Sequence, residues 1–329
     1  MVLASLKSKN PRNRHGELIV VSKDHTSAVK VESSIAGTLL EALENWQQVK
    51  PKLIEIYDAL NQGKHPAKFA LNVADCIAPL PNGPGFFDGS AFLSHVVRAR
   101  RARNDQMPES AKITPLMYQG VADNNMAWNA PLDLMDIGNG GDFEGEFAAI
   151  TTDIPKGSSP EQCEKHIALL TLFNDVTYRE IVKAEIETKF GFLQSKPNSA
   201  YAPFVVTPDE LGSAWDGKRL SLDMQVTLNG KLFGKPNGRE MHFSFGQLIA
   251  HAGRTRPLSA GTIVGTGTIS NETTENGYAC LVEKRYQEII DQGKHSTPWL
   301  QPGDKLVIDV EKEGHSVFGP IIQEVTVLR

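Results

Sequence analysis

Residues 142–147 read Asp142-Phe143-Glu144-Gly145-Glu146-Phe147, and Ala148, Ala149 and Ile150 follow. In a strand, side chains two apart share a face. Read that way, Glu144 and Glu146 point in one direction, with Asp142 in line with them, and Phe143 and Phe147 point to the other face, toward a core. The stretch is thus expected to be a strand, and the fold to be built on sheet. Carboxylates stacked at this spacing repel one another unless a cation sits between them or solvent screens them. Hard cations such as Mg²⁺ or Ca²⁺ take oxygen ligands in this manner. A solvated acidic face is the commoner meaning of such an alternation, and the stretch alone leaves both readings open.

Outward from this segment the strand pattern recurs. Residues 220–228, 262–264 and 305–310 read as strands, and residues 1–30 alternate apolar and polar positions as short strands joined by turns. Residues 34–48 carry Leu39, Leu40, Leu43 and Trp46 at helical spacing. Pro51 interrupts, and Leu53, Ile54, Tyr57 and Leu60 resume the stripe until Gly63, so two short helices are expected. Ser159, Pro160 and Gln162 mark a helix start with a capping box, and a further helix is expected to begin at Met241 or Ser244 and to end at Arg254. Residues 64–84 are rich in Pro, Gly and Asn, and a boundary is expected there. The pattern implies an α+β fold, mainly β, with mixed or antiparallel sheet rather than a βαβ alternation.

The bulk properties narrow the class. The chain has 329 residues, 40% hydrophobic and 22% charged, with a formal net charge of -5. Signs are interspersed, which gives no electrostatic case for nucleic acid or an anionic membrane. No apolar stretch approaches the roughly 18 residues of a membrane span, and the first residues lack the apolar run of a signal peptide; a cytoplasmic protein is expected. The three cysteines, Cys76, Cys163 and Cys280, are far apart. That spacing excludes a disulfide framework and a CxxC zinc site, so any metal is expected on oxygen or imidazole ligands.

Other chemistry-bearing residues stand apart in the chain. Asn174 and Asp175 end an apolar run, where polar pairs often bind ligands. Asp88 follows Phe86 and Phe87. His95 sits among Phe92, Leu93, Val96 and Val97, ahead of the arginines Arg98, Arg100, Arg101 and Arg103. A lone histidine on an apolar stretch is more often a core residue and an arginine run a solvated helix face, yet histidine is suited to general base work and arginine to bidentate carboxylate binding. Residues 265–270, Gly-Thr-Gly-Thr-Ile-Ser, lack the third glycine of a dinucleotide fingerprint.

The order of these pieces resembles the fumarylacetoacetate hydrolase family. The features are Asp88 with His95 seven residues on, Glu144-x-Glu146, Asn174-Asp175 followed by Arg179, Lys196 before a turn, and the loop Gly265 to Ser270. The likeness runs from about residue 80 to the end of the chain, and the preceding part resembles the small β-rich domain of fumarylacetoacetases. The resemblance, nearest to a shorter bacterial branch associated with tyrosine breakdown, implies a mixed β-roll or β-sandwich catalytic domain, residues 79–329, behind a small β-rich N-terminal domain, residues 1–78. It implies Mg²⁺ or Ca²⁺, with Mn²⁺ as an alternative, held by Asp88, Glu144, Glu146 and Asp175. It also implies His95 as the base that activates water, Glu283 as its partner, Lys196 with Arg179 or a histidine as oxyanion stabilisers, and Tyr118, Thr268 and one of Arg100, Arg101 and Arg103, with Arg103 taken first, as substrate contacts. The activity implied is hydrolysis of a carbon–carbon bond in a 2,4-diketo acid, fumarylacetoacetate first, by a homodimer. The same fold hosts acylpyruvate hydrolases, 2-keto-acid hydratases and decarboxylases, and an inert metal-binding homologue is the reading of another class. Val182, Ile186 and Ser90 depart from the residues of the larger fumarylacetoacetases, which bears on the substrate rather than on the metal.

Overall fold

The computed structural model describes residues 1–328. The N-terminal alternation forms an antiparallel meander, Val2–Leu6, Glu17–Val21 and Ser27–Lys30, whose edge is extended by Phe69–Ala70. Val2–Leu6 then pairs with Val205–Val206, which joins the meander to Ile167–Asn174, Gly145–Thr151, Ile263–Gly265, Phe86–Gly89 and Met117–Gln119, and with Ala200–Tyr201 paired on Ile167–Asn174 the sheet has eleven strands. Its pairings are antiparallel except between Ile263–Gly265 and Phe86–Gly89. A five-stranded sheet runs Lys231–Gly234, Gln225–Leu228, Lys305–Asp309, Ile321–Val327 and Leu132–Leu134. The fold is α+β and mainly sheet, as the alternation implies.

The two sheets share a core. Phe143 stacks edge-on against Phe233 of the smaller sheet with ring centroids 5.4 Å apart, and Phe147 lies 6.3 Å from Phe318. Gly145 lets the layers approach, since a Cβ there would lie 3.3 Å from Met224 Cγ and 3.4 Å from Ile308 Cγ2. The uninterrupted apolar run of Ile167–Asn174 is buried along its whole length, as a strand covered on both faces must be. The three cysteines are free and buried.

The capping box expected of Ser159 and Gln162 is formed and opens the helix Pro160–Glu164, and Ser244 with Gln247 forms a second one, which opens the helix Phe245–Ala252. Two boundaries differ from expectation. Pro51 lies inside the helix Trp46–Asn61, and the break falls at Asn45 instead. Val49, Leu53, Tyr57 and Leu60 are buried along one side of that helix, and this continuous apolar contact outweighs the hydrogen bond that proline removes. The strand expected over residues 220–228 is regular only from Gln225 to Leu228. Before it, Leu220 and Asp223 make isolated bridges, to Trp215 and Asn237, so the backbone is paired there without forming a ladder.

Candidate active site

The middle strands of the large sheet bring three acids together. In register, Phe173 faces Glu146, and Gly265 faces Ala148 on one side and Asp88 on the other. Asp175 follows directly on the end of Ile167–Asn174. Gly265 lies between the acids because nothing larger fits: a Cβ there would sit 2.4 Å from Asp88 Oδ1 and 2.7 Å from Phe173 Cζ. Gly265→Ala is expected to cost about 1–3 kcal/mol in urea unfolding and to splay Asp88 from its neighbours.

Asp88, Glu146 and Asp175 offer carboxylate oxygens that all lie within 4.8 Å of one another, and all three residues are buried. Asp88 Oδ1 accepts the Gly267 N–H at 3.0 Å. Asp175 accepts the Ser199 hydroxyl at 3.1 Å, the Tyr118 hydroxyl at 2.7 Å and Lys196 Nζ at 2.5 Å. Neither oxygen of Glu146 has a hydrogen-bond donor among the described residues. Burial, and then the charge of Asp175, pushes the Asp88 carboxyl up to about 7. Burial with the Asp88 and Asp175 charges raises Glu146 well above the carboxylate range, and burial raises Asp175. A buried carboxylate with no donor is costly. A proton shared within the cluster or a divalent cation relieves it, and three converging oxygens suit a hard divalent ion.

Glu144 stands differently. One oxygen accepts Arg179 Nη2 at 2.6 Å and the other Lys196 Nζ at 2.6 Å. Burial opposes its charge, but these cations hold its carboxyl below the ordinary range. Lys196 thus bridges Glu144 to Asp175, and their charges raise its pKa despite burial. Asp142 turns away from the cluster. It accepts the Leu281 and Val282 amides at 2.8 and 3.0 Å, at the start of the helix Leu281–Gln292, and Arg179 Nε at 2.8 Å. Asn174 accepts the Glu144 amide at 3.0 Å and donates to Gln323 at 2.9 Å, which fixes the backbone ahead of Glu146.

His95 and Glu283 come from two helices packed on each other, Leu93–Ala102 and Leu281–Gln292. His95 Nδ1 is 3.8 Å from Glu283 Oε1. Glu283 is buried and also holds Ser270 Oγ at 2.5 Å and Arg98 Nη1 at 2.7 Å. Burial raises its pKa, but His95, Ser270 and Arg98 together bring it below the usual range. His95 Nδ1 and Glu283 Oε2 have no hydrogen-bond partner among the described residues, so each has capacity left for the other.

A cavity of 490 Å³ joins these parts, with Asp88, His95, Tyr118, Glu144, Lys196 and Thr268 on its walls and Arg179 and Arg103 at its side. Thr268 Oγ1 is buried and unpartnered among the described residues, a donor available to a ligand anion. Arg100 also lines this cavity, whereas Arg101 lines a different one. Two contributors were not singled out from sequence. Arg98, three residues after His95 and so on the same helix face, donates to Glu283, to Ser270 and to the carbonyls of Asn271 and Glu272. Its i, i+3 spacing from His95 was the available signal. Glu185 accepts the amides of Leu193, Gln194 and Ser195 and so shapes the turn before Lys196; a lone exposed-helix glutamate carries no such signal in sequence.

Residues 86–326 match the model of the fumarylacetoacetate (FAA) hydrolase C-terminal family, and residues 1–82 match that of fumarylacetoacetase N-terminal domain 2. A fumarylacetoacetase from Dictyostelium discoideum is 25% identical over 200 residues, covering 51% of this chain and 47% of that protein. The oxaloacetate tautomerase YisK of Bacillus subtilis is 27% identical over 175 residues, covering 53% of this chain and 50% of that one. The chain thus spans about half the length of these curated relatives. The crystal structure of maleylpyruvate hydrolase from Sphingobium sp. SYK-6, in complex with manganese(II) and pyruvate, superposes with a TM-score of 0.66 at 16% identity over the full length of both chains. That likeness shows a common fold.

Proposed function

The chain belongs to the fumarylacetoacetate hydrolase family, and on that premise we propose that it is a divalent-metal-dependent hydrolase of a carbon–carbon bond in a diketo acid, with fumarylacetoacetate as the first substrate to test. The observation that carries this reading is one cavity walled by Asp88, a member of the buried carboxylate cluster, by Glu144 and the cation Lys196, and by a histidine backed by a buried glutamate.

In this proposal Asp88, Glu146 and Asp175, with Glu144 beside them, hold Mg²⁺, Ca²⁺ or Mn²⁺. A divalent ion bound there would supply Lewis acidity to an oxygen-rich substrate. Thr268 and Arg103 take the substrate's anionic end, and Tyr118 packs along it. His95 removes a proton from water, and the Glu283 carboxylate stabilises the imidazolium that results. The water oxygen bonds to the carbonyl carbon. Lys196 and Arg179 stabilise the oxyanion formed there. The adjacent carbon–carbon bond then breaks, its electron pair passing to the diketone methylene as an enolate, and His95 returns the proton to that carbon. The products are a carboxylic acid and a ketone.

Division into residues 1–78 and residues 79–329 and assembly as a homodimer belong to the same proposal. The exposed apolar side chains Phe190 and Leu193, flanking the cavity residue Phe192, support the latter.

The test is the absorbance of fumarylacetoacetate on adding purified protein. Loss that EDTA stops and Mg²⁺, Ca²⁺ or Mn²⁺ restores is the expected result. Persistence of the absorbance with every metal, alongside turnover of oxaloacetate or another 2-keto acid, would replace hydrolysis with tautomerisation or decarboxylation. A metal-dependent rise in melting temperature with no turnover of any of these compounds would leave the inert metal-binding reading.

A further inference from the structure

The helix that carries Glu283 starts beside the acid-bearing strand. Cys280 pairs with Glu144 through an isolated bridge, and Asp142 accepts the next two amides, those of Leu281 and Val282. These contacts fix the first turn of Leu281–Gln292, with Cys280 just ahead of it and Glu283 within it. The helix Leu93–Ala102, packed on the same helix, brings His95 to the same place. A second cluster of ligand atoms results. His95, Cys280 and Glu283 offer a ring nitrogen, a sulfur and a carboxylate oxygen that all lie within 4.8 Å of one another. The proposed hydrolysis gives the sulfur no part. Neither Cys76 nor Cys163 belongs to such a group among the described residues.

Two atoms of this cluster are uncommitted. Glu283 is buried, and its Oε2 has no hydrogen-bond partner among the described residues; nor has His95 Nδ1. The neighbouring cations leave both atoms free. Arg98 and Ser270 each meet the other oxygen of Glu283, and Arg179 donates to Asp142 and Glu144. A buried carboxylate oxygen and a buried ring nitrogen without partners are costly, and one cation between them would satisfy both. The donor set also differs in kind from that of Asp88, Glu146 and Asp175. Three carboxylates suit a hard ion. Nitrogen, sulfur and a single carboxylate oxygen suit Zn²⁺, which takes each of them at about 2.0–2.3 Å and keeps a fourth position for water.

We propose that His95, Cys280 and Glu283 form a zinc site separate from the carboxylate cluster, and that zinc bound there stops hydrolysis. Zinc takes cysteine as the thiolate. The Cys280 S–H bond therefore breaks, its proton passes to solvent, and the sulfur electron pair bonds to the ion. An imidazole that binds zinc through Nδ1 carries its one proton on Nε2 and has no lone pair left to take a proton from water. The inhibition rests on the hydrolase reading, in which His95 is the base. The binding does not.

Binding is tested with Co²⁺ as the probe, because Zn²⁺ has a filled d shell and no visible spectrum. Added to protein saturated with Mg²⁺, Co²⁺ is expected to give a thiolate-to-metal charge-transfer band that Zn²⁺ abolishes. Cys280→Ser should lack the band, and Cys76→Ser and Cys163→Ser should keep it. Absence of the band in the unaltered protein would overturn the site, whether or not Cys280→Ser folds and whether or not any diketo acid is turned over. Hydrolysis gives the second readout. Without zinc, Cys280→Ser is expected to keep the kcat and KM of the parent. With Mg²⁺ saturating, Zn²⁺ should inhibit the parent, and Cys280→Ser should need about 100-fold more of it, since even residues outside a ligand shell commonly account for about 10–100-fold in metal affinity. Inhibition of equal strength in both proteins, relieved by further Mg²⁺, would mean that zinc displaces the hard ion from the carboxylates, and the proposal would fall. A charge-transfer band with hydrolysis undiminished by Zn²⁺ would keep the site and remove His95 from the reaction as its base.

Discussion

Replacing His95 by alanine is expected to lower kcat for diketo acid hydrolysis by about 10²–10⁴-fold, the usual contribution of a general base. The binding of metal should not change. His95 is not part of the carboxylate cluster, and no ligand atom of Asp88, Glu146 or Asp175 hydrogen-bonds to it. The melting shift produced by Mg²⁺, Ca²⁺ or Mn²⁺ is therefore expected to match that of the unaltered protein. Glu283→Gln should fall between the two in rate, because it keeps the shape behind the imidazole but removes the charge that stabilises it when protonated, and it leaves Arg98 without its carboxylate. Decarboxylation of a 2-keto acid, which needs no activated water, should survive both changes. Full hydrolytic activity in His95→Ala would remove the base from the proposed reaction and turn attention to the other titratable groups on the cavity wall, Asp88, Glu144 and Lys196 among them.

Much of this site was legible in the sequence because its parts lie on regular elements. Glu146 could be read from a strand's two-residue period, and its neighbours from the apolar runs that end in Asp175 and begin before Asp88. Glu144 shows the limit of that reading. The same period puts it beside Glu146, but the ladder is interrupted, with Gly141–Asp142 and Gly145–Thr151 as separate strands. Glu144 consequently faces Arg179 and Lys196, and Asp142 faces a helix start. Burial decided what period could not. Of the arginines after His95, which read in sequence as a solvated face, Arg98 is buried against Glu283 and Arg100 pairs with Asp105 at the surface. The parallel pairing of residues 86–89 with residues 263–265 depends on contacts between segments far apart in the chain, and local pattern carries no record of it. The resemblance supplied the order of the motifs; the physical reason for that order, a glycine strand held between two acids, came from the register.

Exchanging Glu146 for glutamine is expected to move stability in opposite directions with and without metal. In the metal-free protein Glu146 is buried, carries two oxygens with no donor, and faces Asp88 and Asp175. Lys196 reaches Asp175 and Glu144 but not Glu146. Glutamine has nearly the same volume, removes the charge, and brings an amide that can donate to a neighbouring carboxylate. Burial and the charges of Asp88 and Asp175 raise the Glu146 carboxyl well above the carboxylate range, so the parent carries this charge only at alkaline pH; there the amide has no charge to bury, and metal-free Glu146→Gln should melt above the unaltered protein as pH rises. With metal the order reverses. An ion at 100 times its dissociation constant stabilises the native state by about 2.7 kcal/mol, and the variant, short of one anionic ligand, should lose most of that gain together with its activity. A metal-dependent shift of unchanged size in Glu146→Gln would place the ion elsewhere. A metal-free variant less stable than the parent at every pH would mean that Glu146 stays neutral throughout and shares a proton with Asp88. In that case metal binding must expel the proton, and calorimetry in buffers of different ionisation enthalpy would show its release.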